Sequence, residues 1–190
     1  SFTLAQILFF VAINRPGSLS IYISPTNDSS RKFFQDMSEF CSESPLVKKL
    51  NESLLEMRFT NGSKIKFRSA ESKLRGNSCK RGGILAVDEA NFVPPDIWEV
   101  ILPFTNVSHA NKVIISTPRL KAGTFYDYYT RALNGDKGYY YINTKNYDTS
   151  MFLSDSQKEE YRKILSPQAY QSEILGEFID SSQGVFKDYQ

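Results

Sequence analysis

The chain has 190 residues, 41 % hydrophobic and 23 % charged, which suits one ordinary globular domain and excludes extended disorder. Its 23 basic and 21 acidic residues leave a formal charge of +2, so net charge alone does not announce a nucleic-acid partner. No apolar run approaches the roughly 20 residues needed to span a bilayer, and the apolar opening lacks the basic start of a signal peptide. A soluble intracellular protein is expected.

Residues 5–13 are apolar and suit a helix, which Arg15-Pro16-Gly17 breaks. Residues 19–24 (LSIYIS) are apolar and bounded by turn residues, so a buried strand is predicted. Thr26 or Asn27 then caps a helix to about Phe40, with Phe33, Phe34 and Met37 at helical spacing. Residues 54–60 and 63–69 alternate in polarity around Asn61-Gly62, a strong hairpin signal, with Met57, Phe59, Ile65 and Phe67 on the buried face.

Residues 72–83 form a loop rich in Gly, Ser, Lys and Arg. An apolar run, GILAVD at 83–88, ends in Asp88, and a second acid, Glu89, follows. Pro94-Pro95 opens a helix through Trp98 and Ile101, and KVIIST at 112–117 reads as a third buried strand. A helix is predicted from Thr124 through Leu133, a turn at Gly135-Asp136 and a strand at 138–143 (GYYYIN). Ser154-x-x-Gln157 matches a capping box, and Ser166-Pro167 caps the last helix. LGEFID follows at 175–180, and residues 181–190 read as a linker toward a further domain.

Strands alternating with helices imply an α/β fold with a largely parallel sheet. Cys41 and Cys79 are far apart and lack metal-binding spacing, so free thiols are expected and a zinc site is not. His109 is the only histidine and is expected on a surface loop. The basic pair Lys48 and Lys49 and the run 64–68 are expected to be solvated faces. The basic stretch 75–81 surrounds glycines and is of more interest.

Three segments carry chemistry. An apolar strand ending in Asp88-Glu89 has the pattern of a Walker B motif. A rigid strand would present two carboxylates where open α/β sheets bind ligands; a strand with acids at its end for solubility is the plainer alternative. Asp88 would orient Mg²⁺ through its waters, and Glu89 would polarise the water that attacks the γ-phosphate of ATP. The next apolar strand ends in Ser116-Thr117-Pro118, polar groups of the kind that sense loss of the γ-phosphate; a turn cap before proline is the plainer alternative. Arg75 sits in a glycine-containing loop before the acidic strand, where a guanidinium can reach a phosphate in cis or in trans; a solvated loop arginine is its plainer alternative.

In order, the chain reads helix, SLSIYISPTNDSSRKFF, hairpin, SAESKLRG, GILAVDEANF, VIISTPR, GTFYDYY and YQSEILGEFIDSSQGVF. Nearly the whole of it resembles the ATPase half of the terminase large subunits of tailed phages and prophages. The acidic strand and the "STP" are shared with helicases. The closing "EILGEF…GVF" is the more specific element.

That resemblance implies a P-loop NTPase-like three-layer domain over residues 1–180, with a mainly parallel central sheet and a β-hairpin insertion. It implies an ATP-hydrolysing motor that drives double-stranded DNA into a procapsid, in the host bacterial cytoplasm, with the small terminase subunit and portal as partners and a homo-oligomeric ring as the working state. Asp88 and Glu89 match the Walker B positions, and Ser116 and Thr117 the coupling motif. Arg75 matches a trans-acting arginine, and Pro25-Thr26 a helicase-like segment. Glu173, Gly176, Glu177 and Phe178 match the motor–nuclease junction, where a structural role is expected.

One departure stands out. The family's phosphate-binding loop, ending in Gly-Lys-Ser or Gly-Lys-Thr, occurs nowhere in the 190 residues. The opening SFTLAQILFF resembles the helix directly after such a loop. Ser1 is therefore expected to be the Mg²⁺-binding hydroxyl, with the loop and its strand upstream. Alone, the chain is expected to bind ATP weakly or not at all and to lack nuclease activity. A helicase-like translocase and a non-enzymatic α/β scaffold are the alternatives.

Overall fold

The computed structural model describes residues 2–143 and 153–180. Contacts divide the chain into two compact units, Ser1–Ile115 and Ser116–Gln190.

The first unit opens with α1 (Phe2–Asn14), followed by β1 (Leu19–Ser24) and α2 (Asn27–Phe40). Thr26 caps α2 by a reciprocal pair with Ser29: its side chain accepts from the Ser29 N–H at 3.2 Å, and its own N–H donates to Ser29 Oγ at 3.2 Å. Three antiparallel strands come next, β2 (Val47–Asn51), β3 (Glu56–Phe59) and β4 (Lys64–Ser69). Then come β5 (Leu85–Val87), α3 (Pro95–Ile101) and β6 (Lys112–Ile114).

The sheet order is β2-β3-β4-β1-β5-β6, with β4, β1, β5 and β6 mutually parallel. One apolar cluster joins Leu4, Leu8 and Val11 of α1 to Phe33, Phe34 and Met37 of α2. Beneath them lie Tyr22, Met57, Phe59, Ile65 and Phe67 of the sheet. The alternate residues Ile21, Ile23, Leu85 and Val87 are also buried but lie outside this cluster, on the other sheet face.

The hairpin forms where the sequence places it, and the four expected residues are at most 2 % exposed. Its turn is different. The type I′ loop that Asn-Gly favours needs positive φ at both positions, yet of the two only Gly62 has it, at +84°. The Gly62 N–H donates to Phe59 O at 3.1 Å and the Phe59 N–H to Ser63 O at 3.0 Å, giving a three-residue loop with a glycine bulge. Asn61 serves another purpose. Its amide donates to Ala12 O at 2.9 Å and Ile13 O at 3.1 Å, and Ser63 Oγ donates to Ala12 O at 2.7 Å. The turn thus satisfies the orphan carbonyls at the end of α1.

One strand is shorter than expected and another was not foreseen. Residues 112–117 narrow to a three-residue β6, and Val113, Ile114 and Ile115 are only half-buried. Among the described residues β6 is an outer strand of the sheet, whereas the apolar run suggested neighbours on both sides. Strand β2 went unseen, because Lys48, Lys49 and Leu50 are all exposed and give no alternation.

The second unit contains α4 (Thr124–Leu133), α5 (Asp155–Ile164) and α6 (Pro167–Ala169), which runs into a π-helical turn at Tyr170–Ile174. Ser154 and Ser166 cap α5 and α6 as expected. Residues 138–143 are not a strand. They keep a period of two: Tyr139 packs on Tyr128 and Arg131, and Tyr141 on Tyr129, while Tyr140 and Ile142 face solvent. Alternation shows that one side is covered; a strand also needs a hydrogen-bonded neighbour, and none pairs with this segment among the described residues.

Phe178 of the closing motif packs on Tyr126 and Tyr129 of α4, with ring centroids 4.9 Å away in each case. The Ile179 N–H donates to Arg119 O at 2.7 Å, and Lys121 pairs with Asp180 at 2.8 Å. The motif fastens the end of the unit to its beginning. Residues 181–190 lie outside the described residues, as does Ser1.

Candidate functional site

Strand β5 is three residues long, fully buried, and paired on both sides. Gly83 leads into it, and a Cβ there would lie 2.1 Å from the Leu19 carbonyl oxygen, so only glycine lets β5 approach β1 this closely. At the other end the Asp88 N–H donates to Ile23 O at 2.9 Å and the Ala90 N–H to Ile115 O at 3.1 Å. The backbone carrying Asp88 and Glu89 is therefore held from both neighbouring strands.

Asp88 is 5 % exposed. Its Oδ2 accepts the Tyr22 hydroxyl at 3.1 Å, and its Oδ1 accepts the Glu89 N–H at 3.0 Å. Glu89 adopts a left-handed backbone, φ 48° and ψ 44°, which costs a non-glycine residue roughly 1 kcal/mol or more. That kink follows the end of the strand, and the Glu89 side chain is exposed. Neighbouring carboxylates differ in burial: Asp88 is buried, Glu89 exposed.

Tyr22 was not foreseen. A tyrosine amid the aliphatic residues of β1 was the available signal, since a buried phenol needs a polar partner. Its ring stacks on Phe33 at 4.1 Å and 4°, which fixes where the hydroxyl points. Burial, then the charge of Asp88, pushes the phenol well above its ordinary ionisation range, so it remains a donor at neutral pH.

Tyr22→Phe should therefore strand a buried carboxylate oxygen one donor short. The expected cost is about 1–3 kcal/mol, read as a lower urea midpoint with an unchanged slope. In the wild type, a phenol whose folded pKa is raised contributes stability that is present below pH ~10 and lost as pH rises above it, where only the unfolded chain ionises. Tyr22→Phe should flatten that alkaline loss. Equal stability of the two proteins would remove the hydrogen bond from the account.

Arg75 is exposed on a turn closed by the Asn77 N–H to Leu74 O bond at 3.3 Å, with Gly76 at φ +84°. Leu74 is 4 % exposed and anchors the turn, so Arg75 is lifted at its crest. The root of this loop is tied to the end of β1. Ser69 Oγ donates to Asn27 Oδ1 at 2.6 Å, the Asn27 N–H to Glu71 Oε2 at 2.9 Å, and the Ala70 N–H to Ser24 O at 2.9 Å. Thr26, in the helicase-like segment, uses its side chain to cap α2.

The Ile115 N–H donates to Val87 O at 2.9 Å, and Ser116 and Thr117 are next in the chain, opening the second unit. Both are half-buried. Cys41 and Cys79 are free and buried, and burial raises both thiols to about 11. His109 is exposed.

Among the described residues no group of three or more His, Cys, Asp and Glu side chains could hold a metal. A hydrated Mg²⁺ fits, because it keeps most of its waters and takes one or two carboxylates plus substrate phosphates. Asp88 and Glu89 supply hard oxygen donors of that kind. The phosphate cradle has no counterpart in this sequence.

Residues 1–189 match the family model for the terminase large subunit, T4likevirus-type, N-terminal. This chain belongs to the terminase large subunit family. Its fold is that of solved terminase ATPase domains. The ATPase domain of the large terminase of Thermus phage P74-26 superposes with a TM-score of 0.70 at 20 % identity, covering 93 % of this chain and 82 % of that one. The large terminase of a thermophilic bacteriophage gives 0.72 at 15 % identity, covering 93 % and 44 %. That of bacteriophage HK97 gives 0.73 at 14 %, covering 92 % and 43 %. The chain thus spans less than half of those two terminases and most of the separate ATPase domain. The expected mixed α/β, P-loop-type fold is the observed one.

Proposed function

We propose that this chain is the ATP-hydrolysing motor part of a DNA-packaging terminase, coupling hydrolysis to movement of double-stranded DNA into a procapsid. The observation that carries it is the pair Asp88–Glu89 at the end of β5, one carboxylate buried, the other exposed on a left-handed backbone. Family membership sets the context. The large terminase of the thermophilic bacteriophage has been solved with ADP and with ATP-gamma-S.

In this reading Asp88, oriented by Tyr22, and the Ser1 hydroxyl would hold a hydrated Mg²⁺. When bound, the cation neutralises charge on the β- and γ-phosphates of ATP. Glu89 takes the proton of the attacking water. Arg75 of one copy reaches the phosphates held by its neighbour in a homo-oligomeric ring. Ser116 and Thr117 couple the loss of the γ-phosphate to motion. The small terminase subunit and the portal of the procapsid are the partners, and the site of action is the host bacterial cytoplasm. Among the described residues no helix is long and apolar enough to cross a membrane.

The test is packaging itself. The complete large subunit, with procapsids carrying a portal, duplex DNA and ATP, should render DNA resistant to nuclease in an ATP-dependent way. ATP hydrolysis without protection of DNA would favour a helicase-like translocase, and absence of hydrolysis would favour a scaffold.

A further inference from the structure

The antiparallel wing β2-β3-β4 has two unlike faces. One carries Met57, Phe59, Ile65 and Phe67 and packs under α1 and α2. Residues directly opposed across a ladder share a face, so the register defines the other. Lys49, Arg58 and Lys64 form one cross-strand row, and Asn51, Glu56 and Lys66 the next. Arg68 lies two residues beyond Lys66 on β4.

This outer face therefore carries five cations, one carboxylate, one amide and no apolar side chain, in a protein whose net charge is only +2. Glu56, 6 % exposed, gathers Arg58 at 3.2 Å, Arg68 at 3.6 Å and Lys66 at 3.8 Å. One buried acid fixes three cations in place and neutralises the charge of one. Lys49 is exposed and Lys64 half-exposed.

Like charges directly opposite each other destabilise a sheet. Protection of an edge strand would account for lysines on β2. It does not account for Arg58 and Lys64, which lie on strands paired on both sides. A protein partner would want apolar anchors, and this face offers none. A polyanion suits it. Arg68 is largely covered and donates to Leu54 O and Phe67 O, so the accessible cations are Lys49, Arg58 and Lys64, one cross-strand row that phosphates can meet.

We propose that the outer face of this wing docks the phosphate backbone of duplex DNA, without reading base sequence. The inference rests on the DNA-packaging reading and adds a contact surface to it. Backbone contacts of this kind show themselves through counterion release.

The experiment measures binding of a fluorescent duplex to the complete large subunit across a range of salt concentrations. The variant is Lys49→Ala with Lys64→Ala, the two cations outside the Glu56 cluster. Binding should weaken about tenfold or more at low salt, equally for different duplex sequences. The slope of log K against log salt should fall by about two. DNA-independent ATP turnover and the thermal midpoint should not change. Wild-type affinity and slope in the variant would overturn the proposal. So would loss of ring assembly with DNA affinity intact, which would assign the face to a neighbouring copy. Failure of the wild type itself to bind duplex would overturn the packaging reading as well.

Discussion

Glu89→Gln in the complete large subunit should lower ATP turnover by about 10²–10⁴-fold, the range that a positioned general base supplies. Nucleotide binding should survive. The substitution is nearly isosteric, and the bond that orients the strand end comes from the Glu89 N–H to Asp88 Oδ1, which an amide side chain leaves intact. Both residues share the same backbone penalty at φ 48°, so the kink has no new reason to relax. Asp88 stays held by Tyr22. What is lost is the ability to accept a proton from water. Turnover and affinity measured together separate the outcomes. A fall in turnover alone assigns the base. A fall in both assigns Glu89 to the scaffold of the site, and turnover near wild type removes it from the chemistry.

Residues whose partners lie nearby in sequence or period were legible in advance. The core of β1, the Thr26 cap of α2, the buried face of the hairpin and the two late caps all follow from local rules: side-chain period, capping oxygens and turn glycines. The acidic end of β5 was legible because its motif is local as well. What escaped depends on distant partners. Tyr22 and Asp88 are 66 positions apart and meet only because β1 and β5 pair in register. Asn61 announced a tight turn by its type, yet its amide caps α1, 48 and 49 positions away. Residues 138–143 display strand periodicity from packing on α4, with no ladder beside them. The basic run 64–68 read as a solvated face. Only the register of β2, β3 and β4 showed its cations aligned with Lys49 and Arg58 and its apolar residues turned inward.

Arg75→Ala should reduce turnover in assembled rings by about 10³-fold or more, as removal of an arginine finger does, and leave the basal rate of dilute monomer unchanged. In the proposed reading the contact lies outside its own subunit. Leu74 is buried beneath the turn, Gly76 at φ +84° closes it, and the loop root is bound to Asn27, so the arginine stands on a fixed support facing solvent. Arg75→Lys should recover only part of the loss, since an ammonium cannot donate the planar pair of bonds that a guanidinium gives to phosphate. Mixing decides between cis and trans. A subunit with Arg75→Ala keeps Glu89, and one with Glu89→Gln keeps Arg75. Each ring alone should be nearly inactive. In mixed rings, an intact Glu89 site next to an intact Arg75 regains turnover only if the arginine acts across the boundary. No recovery at any mixing ratio would place Arg75 in its own subunit's site or outside catalysis altogether.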